Sequence, residues 1–193
     1  MKRIAIFSSG SGSNFQALID AFQTGSLQAT VELLVCDQPD AFVIQRAQAA
    51  GIPTFVFRAK EYNSKVEFET EIIAQLEKRG VEFIVLAGYM RLIGPTLLQP
   101  FSKRIVNIHP SILPAFPGKD AIGQALEYGV KITGVTVHYV DEGMDTGPII
   151  AQVPVEVYPN ETKQSLQEKI HVVEHRLYAE TLNHLFITEP NKV

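Results

Sequence analysis

Residues 3–7, Arg-Ile-Ala-Ile-Phe, form an apolar run short enough for a buried strand. The small-residue run Ser8-Ser9-Gly10-Ser11-Gly12-Ser13 follows, and Phe15, Leu18, Ile19 and Phe22 then recur at helical spacing. Residues 31–36 read as a second strand, 40–50 as a helix stopped by Gly51, and 54–57 as a third short strand. Phe68, Ile72 and Leu76 give the next helix a core stripe, with Gly80 after it. Residues 83–87 are apolar at every position, which suits a central parallel strand covered on both faces.

The second half changes character. Residues 104–109 make an apolar run that ends in Asn107 and His109 and breaks into a loop stiffened by Pro110, Pro114 and Pro117. A short helix is expected near 120–128. Residues 132–140 alternate as a half-exposed strand does, and a turn over 141–148 leads to a further strand at 149–157. That spacing suggests an antiparallel pair. A last long helix is expected from near Glu161, with Leu166, Ile170, Val173 and Leu177 inside and a frayed tail from Glu189 to Val193. The alternation predicts an α/β fold in one domain over 1–193. Its sheet would be mostly parallel, open, twisted and flanked by helices, Rossmann-like in the N-terminal half and antiparallel in the C-terminal portion.

Composition narrows the function classes. A 46% hydrophobic and 20% charged chain is ordinary for a globular domain. A net charge of −4, with no Lys/Arg run, argues against nonspecific nucleic-acid binding. Cys36 is the single cysteine, which excludes an internal disulfide and reads as a core residue. No apolar run reaches membrane-spanning length, and no leader-like segment precedes the first strand, so the cytoplasm is the expected location. No segment carries a signal of oligomeric state.

Four places carry candidate chemistry. Asn107 and His109 occupy alternate strand positions, so they point to one side with an amide donor and a titratable imidazole. The Ser8–Ser13 loop, between a strand end and a helix start, suits either a single phosphate or a ligand-free turn. A dinucleotide fits it less well, because Phe15 stands where the third fingerprint glycine would fall. Asp145, bracketed by Gly143 and Gly147, is either a turn former or the carboxylate that orients His109. Gly88-Tyr-Met-Arg91-Leu-Ile93, at the end of the most apolar strand, makes an apolar rim with one arginine. It suits a flat heteroaromatic ring bearing a carboxylate. His171-Val-Val-Glu174-His175 matches a short zinc pattern, but its helix reads as core packing, so no metal is expected. By spacing, Glu174 lies at the edge of the buried face, either reaching a ligand's hydroxyls or solvated.

Asn107-Ile-His109-Pro110-Ser111-Ile-Leu113-Pro114, with Asp145-Thr-Gly147-Pro148, resembles the signature of the folate-dependent formyltransferases. The opening Gly10–Asn14 loop, the Leu86–Arg91 strand end and Glu174-His175 fall in register, so the resemblance covers nearly the whole chain. It implies transfer of a formyl group from 10-formyltetrahydrofolate to the amine of glycinamide ribonucleotide in purine synthesis. The folate would be a co-substrate, with no tightly bound cofactor. The implied catalytic set is Asn107, His109 and Asp145. Ser11, Gly12, Ser13, Asn14 and Lys65 would hold the phosphate, Glu174 the ribose hydroxyls, with Gly88 and Pro110 also on the ribonucleotide side. Met90, Arg91, Leu92, Ile93, Asn107, Val140, Asp141 and Asp145 would line the folate pocket. Residues 1–100 would then be the phosphate half and 101–193 the catalytic and folate half. Lys-Asp-Ala-Ile after Gly118 departs from relatives that carry histidines there. A related formyltransferase, a formyltetrahydrofolate hydrolase and a noncatalytic nucleotide-binding module are the competing readings.

Overall fold

Along β1 (Lys2–Ser8) alternate side chains separate into two cores. Ile4 and Ile6 join Phe15, Leu18 and Tyr178 on one side of the sheet, while Ala5 and Phe7 join Phe68, Ile72 and Leu76 on the other. The computed structural model describes residues 1–188, and the tail from Glu189 to Val193 lies outside them. After β1 come α1 (Ser13–Gln23), β2 (Ala29–Cys36), α2 (Val43–Ala49), β3 (Thr54–Val56), α3 (Lys65–Lys78), β4 (Phe83–Leu86) and α4 (Pro95–Leu98). The second half holds β5 (Ile105–His109), α5 (Ala121–Tyr128), β6 (Ile132–Tyr139), β7 (Ile149–Glu156) and α6 (Lys163–Thr188).

The strands form one sheet in the order β3-β2-β1-β4-β5-β6-β7. Pairings from β3 through β5 are parallel, and β5–β6 and β6–β7 are antiparallel. The chain winds outward from β1 to β3, then returns to β4 on the other side of β1. That reversal leaves a crevice beyond the carboxyl ends of β1 and β4, where ligands bind in open α/β sheets.

Two features differ from the sequence reading. The strand expected to be half-exposed is buried from Thr133 to His138. It lies inside the sheet between β5 and β7, and the proline loop covers it: Thr136 Oγ1 donates to Ser111 O at 2.7 Å and accepts from Leu113 N at 3.1 Å. A Cβ on Gly134 would collide with Ile112 of that loop. The one-turn α4 was not anticipated, because four residues show no periodicity; Pro95 begins it. In α6, Tyr178 Oη donates to Leu86 O at 2.8 Å, with Val106 O at 3.2 Å, and so ties the last long helix to the ends of β4 and β5.

Candidate active site

The antiparallel β5–β6 register sets Asn107 opposite His138 and His109 opposite Thr136. His138 Nδ1 lies 2.8 Å from Tyr139 O and donates its N–H to that carbonyl. Nε2 then carries the lone pair and accepts from Asn107 Nδ2 at 3.2 Å. The amide thereby has a fixed orientation and one N–H left over. His109, 5% exposed, places Nε2 2.8 Å from Phe116 O and Nδ1 3.4 Å from Asp145 Oδ2. The carbonyl requires a proton on Nε2, so a second proton on Nδ1 would make an imidazolium facing Asp145.

Asp145 comes from the loop between β6 and β7, with left-handed backbone at φ 56°. The turn depends on Gly147, where a Cβ would strike the Tyr139 carbonyl. Asp145 Oδ2 accepts from Gly118 N at 2.7 Å, and Oδ1 lies 3.7 Å from His138 Nε2. Burial opposes its charge, but the hydrogen bond from Gly118 N and the neighbouring His109 ring outweigh burial and hold the carboxyl below the usual range. His138 was missed by sequence reasoning. Its only signal is the strand register, which becomes visible once β6 pairs with β5.

Gly12 caps α1 with φ 74°, and a Cβ there would come within 2.5 Å of Val43 Cγ2, so the loop needs glycine for both conformation and close approach. Asn14 Nδ2 donates to Glu174 Oε2 at 3.2 Å, and Asn14 Oδ1 is buried without a protein partner. Glu174 is 5% exposed, not at the edge of the buried face as spacing suggested. Burial pushes its carboxyl up to about 7, against the smaller opposing effect of Asn14. His171 and His175 stack at 6.0 Å, and among the described residues no three His, Cys, Asp or Glu groups cluster to hold a metal ion.

These residues share one cleft of about 640 Å³. It contains Ser11–Asn14, Gly88, Met90–Ile93, Asn107, His109, Pro110, Val140, Asp141, Asp145 and Glu174. Met90 and Leu92 are exposed along its rim, and Ile93 is buried. Asp141 accepts from Gly143 N and Thr146 Oγ1, so its carboxylate builds the turn. Lys65 is not in the cleft. It stands exposed at the start of α3, with its Cε against Gly94. The cation in the cleft on the α6 side is Lys163, paired with Asp120 at 2.7 Å. Lys163, Gln167, His171 and Glu174 recur at helical spacing, a stripe that could have been read from the sequence. Lys119 and Asp120 also line the cleft, so the segment without histidines is part of it.

Residues 2–182 match the formyl transferase family. The chain is 54% identical over 185 residues to the phosphoribosylglycinamide formyltransferase of Bacillus subtilis, spanning 96% of this chain and 95% of that protein. The crystal structure of glycinamide ribonucleotide transformylase 1 from Geobacillus kaustophilus superposes with a TM-score of 0.94 at 61% identity, covering 96% of this chain and 98% of that one. The phosphoribosylglycinamide formyltransferase structure from Bacillus halodurans gives a TM-score of 0.94 at 54% identity, over 96% of this chain and 95% of that one. The similarity runs through every element that builds the cleft, and the chain belongs to the formyl transferase family.

Proposed function

We propose that this protein transfers the formyl group of 10-formyltetrahydrofolate to the primary amine of glycinamide ribonucleotide in purine biosynthesis. The observation that carries the reading is one cleft that joins the Gly12-capped helix start, the Asn107–His109–Asp145 group and the Arg91 rim. The helix start suits a phosphate. Buried Glu174, beside Asn14, suits the ribose hydroxyls. The apolar rim with Arg91 suits a pterin and its carboxylate-bearing tail. The reacting atoms would meet between them, beside Asn107. The folate is a co-substrate that enters and leaves with each turnover.

The amine attacks the formyl carbon, a C–N bond forms, and the carbonyl oxygen becomes an oxyanion. The free N–H of Asn107 donates to that oxygen. A single donor of this kind contributes roughly 2.7–4 kcal/mol to the transition state. The His109 N–H groups are directed at Phe116 and Asp145, so its contribution is the positive charge of its imidazolium rather than a direct hydrogen bond. Asp145 stabilises that imidazolium and, through water, receives the proton the amine sheds and passes it to N10 of the folate. The bond to N10 then breaks, releasing tetrahydrofolate and the formylated amine.

The test is an absorbance assay of folate turnover with and without glycinamide ribonucleotide. Turnover that requires both substrates supports the proposal. Folate turnover independent of the ribonucleotide would make the protein a hydrolase, and no turnover at any pH would sink the catalytic reading.

A further inference from the structure

Three neighbouring strands, β2, β1 and β4, end side by side at the carboxyl edge of the sheet. Asp37 follows β2, Ser9 follows β1, and Met90 and Arg91 lie shortly after β4. Asp37 is 4% exposed and makes none of the catalytic contacts described above. Both of its carboxylate oxygens are filled. Ser9 Oγ donates to Oδ1 at 2.5 Å, while Arg91 Nε at 2.8 Å and Gln38 Nε2 at 3.2 Å donate to Oδ2. Ser9 Oγ in turn accepts from Met90 N at 2.9 Å, and Ser9 N donates to Gly88 O at 2.9 Å. One carboxylate thus joins the start of the phosphate loop to the start of the rim.

A carboxylate buried this deeply persists only when paired and hydrogen-bonded, and packing alone would be served as well by an apolar side chain. What the charge holds is Arg91. The guanidinium is fixed at Nε by Asp37, and its Cζ lies 5.8 Å from the centre of the Phe68 ring. Its one hydrogen bond to Asp37 uses Nε and neither Nη group. A free arginine loses much rotamer freedom when it binds a ligand, whereas one already fixed loses little.

We propose that Asp37 is a positioning residue for the formyl donor: it presents Arg91 to the anionic end of the folate and, through Ser9, fixes the Met90 backbone beside it. The inference rests on the transfer reaction proposed above. Asp37 acts through Arg91, so its removal should weaken folate binding while leaving the chemical step largely intact.

Asp37→Ala, Asp37→Asn, Arg91→Ala and the Asp37→Ala/Arg91→Ala pair are compared with wild type, with KM measured for each substrate separately. Asp37→Ala is expected to raise the folate KM roughly tenfold or more, with kcat and the ribonucleotide KM within about threefold of wild type. Asp37→Asn, equal in shape and keeping one acceptor for Arg91, recovers part of the loss and stands in should the alanine variant fail to fold. The double variant is expected to fall well short of the sum of the two single defects, because Asp37 acts mainly through Arg91. An unchanged folate KM, parallel changes in kcat and both KM values, or a double-variant defect equal to the sum of the single ones overturns the proposal. The Arg91 Nε–H signal in nitrogen-15 NMR gives a second readout. It should exchange slowly in wild type and fast in Asp37→Ala, and equal rates would reject the clamp. If wild type transfers no formyl group, the proposed function fails and this signal alone decides whether Asp37 fixes Arg91.

Discussion

Asn107 and Asp145 have separate jobs in the proposed reaction, and a single substitution tests each. Asn107→Ala removes the donor proposed for the oxyanion and should lower kcat about 100- to 1000-fold with little change in KM. Asp145→Asn keeps an acceptor for Gly118 N but removes the charge that favours the His109 imidazolium, so kcat should also collapse while the fold persists. Wild-type turnover by purified Asp145→Asn would contradict the assigned role. Glu174 gives a prediction in pH. Its folded value of about 7 lies above the unfolded carboxyl value of about 4.3. Between those values the folded chain binds the extra proton, so this residue lowers stability as pH rises through the window and costs most above it. Glu174→Gln keeps an acceptor for Asn14 and should raise the melting temperature clearly more at about pH 8 than at about pH 5. Equal shifts at both pH values would reject burial of the charge as the cause. The types at Asn107, His109 and Asp145 were legible in sequence as chemistry. The partner that orients Asn107 was not, because His138 is distant in sequence and meets it only through strand pairing.

At the scale of elements, the apolar runs and helical stripes located every strand and the longer helices, since burial enforces period 2 or 3.6 wherever one face meets a core. The reading failed where burial had another origin. The strand β6 alternates in sequence, yet Thr136 is inside because the proline loop and Gln152 satisfy its hydroxyl. The helix α6 is tied to the sheet by Tyr178, whose hydroxyl serves the carbonyls of Leu86 and Val106 next to the catalytic strand end. Tyr178→Phe leaves those carbonyls without this donor and should cost about 1–3 kcal/mol of stability, read from denaturant midpoints. Because Val106 precedes Asn107, kcat should fall as well, by less than in Asn107→Ala. Full activity and full stability together would show that the bridge contributes nothing.

For the whole molecule, one seven-stranded sheet runs through both sequence halves, and α6 packs into the same core as β1 and α1. Neither half holds a complete core, so the described chain should unfold as one cooperative unit. With six tyrosines and no tryptophan, tyrosine fluorescence and far-ultraviolet circular dichroism are suitable probes, and their urea transitions should coincide. Two separated transitions would divide the chain into independent domains. Ligand at about 100 times its dissociation constant should add roughly 2.7 kcal/mol to that stability, because the cleft exists only in the folded state.

The order of apolar runs determined the α/β class, and the residue types at the strand ends determined that the chemistry is polar and acid–base in kind. Both are local properties: a strand's period and a side chain's donors are carried by a few consecutive residues. The tertiary structure decided which of those residues meet. It excluded Lys65 from the cleft and admitted Lys163, since reach depends on where α3 and α6 lie against the sheet. It turned His109 Nε2 toward the Phe116 carbonyl and Nδ1 toward Asp145. It also buried Asp37 under Arg91, by bringing the ends of β2, β1 and β4 side by side, a contact between positions 54 residues apart in the chain.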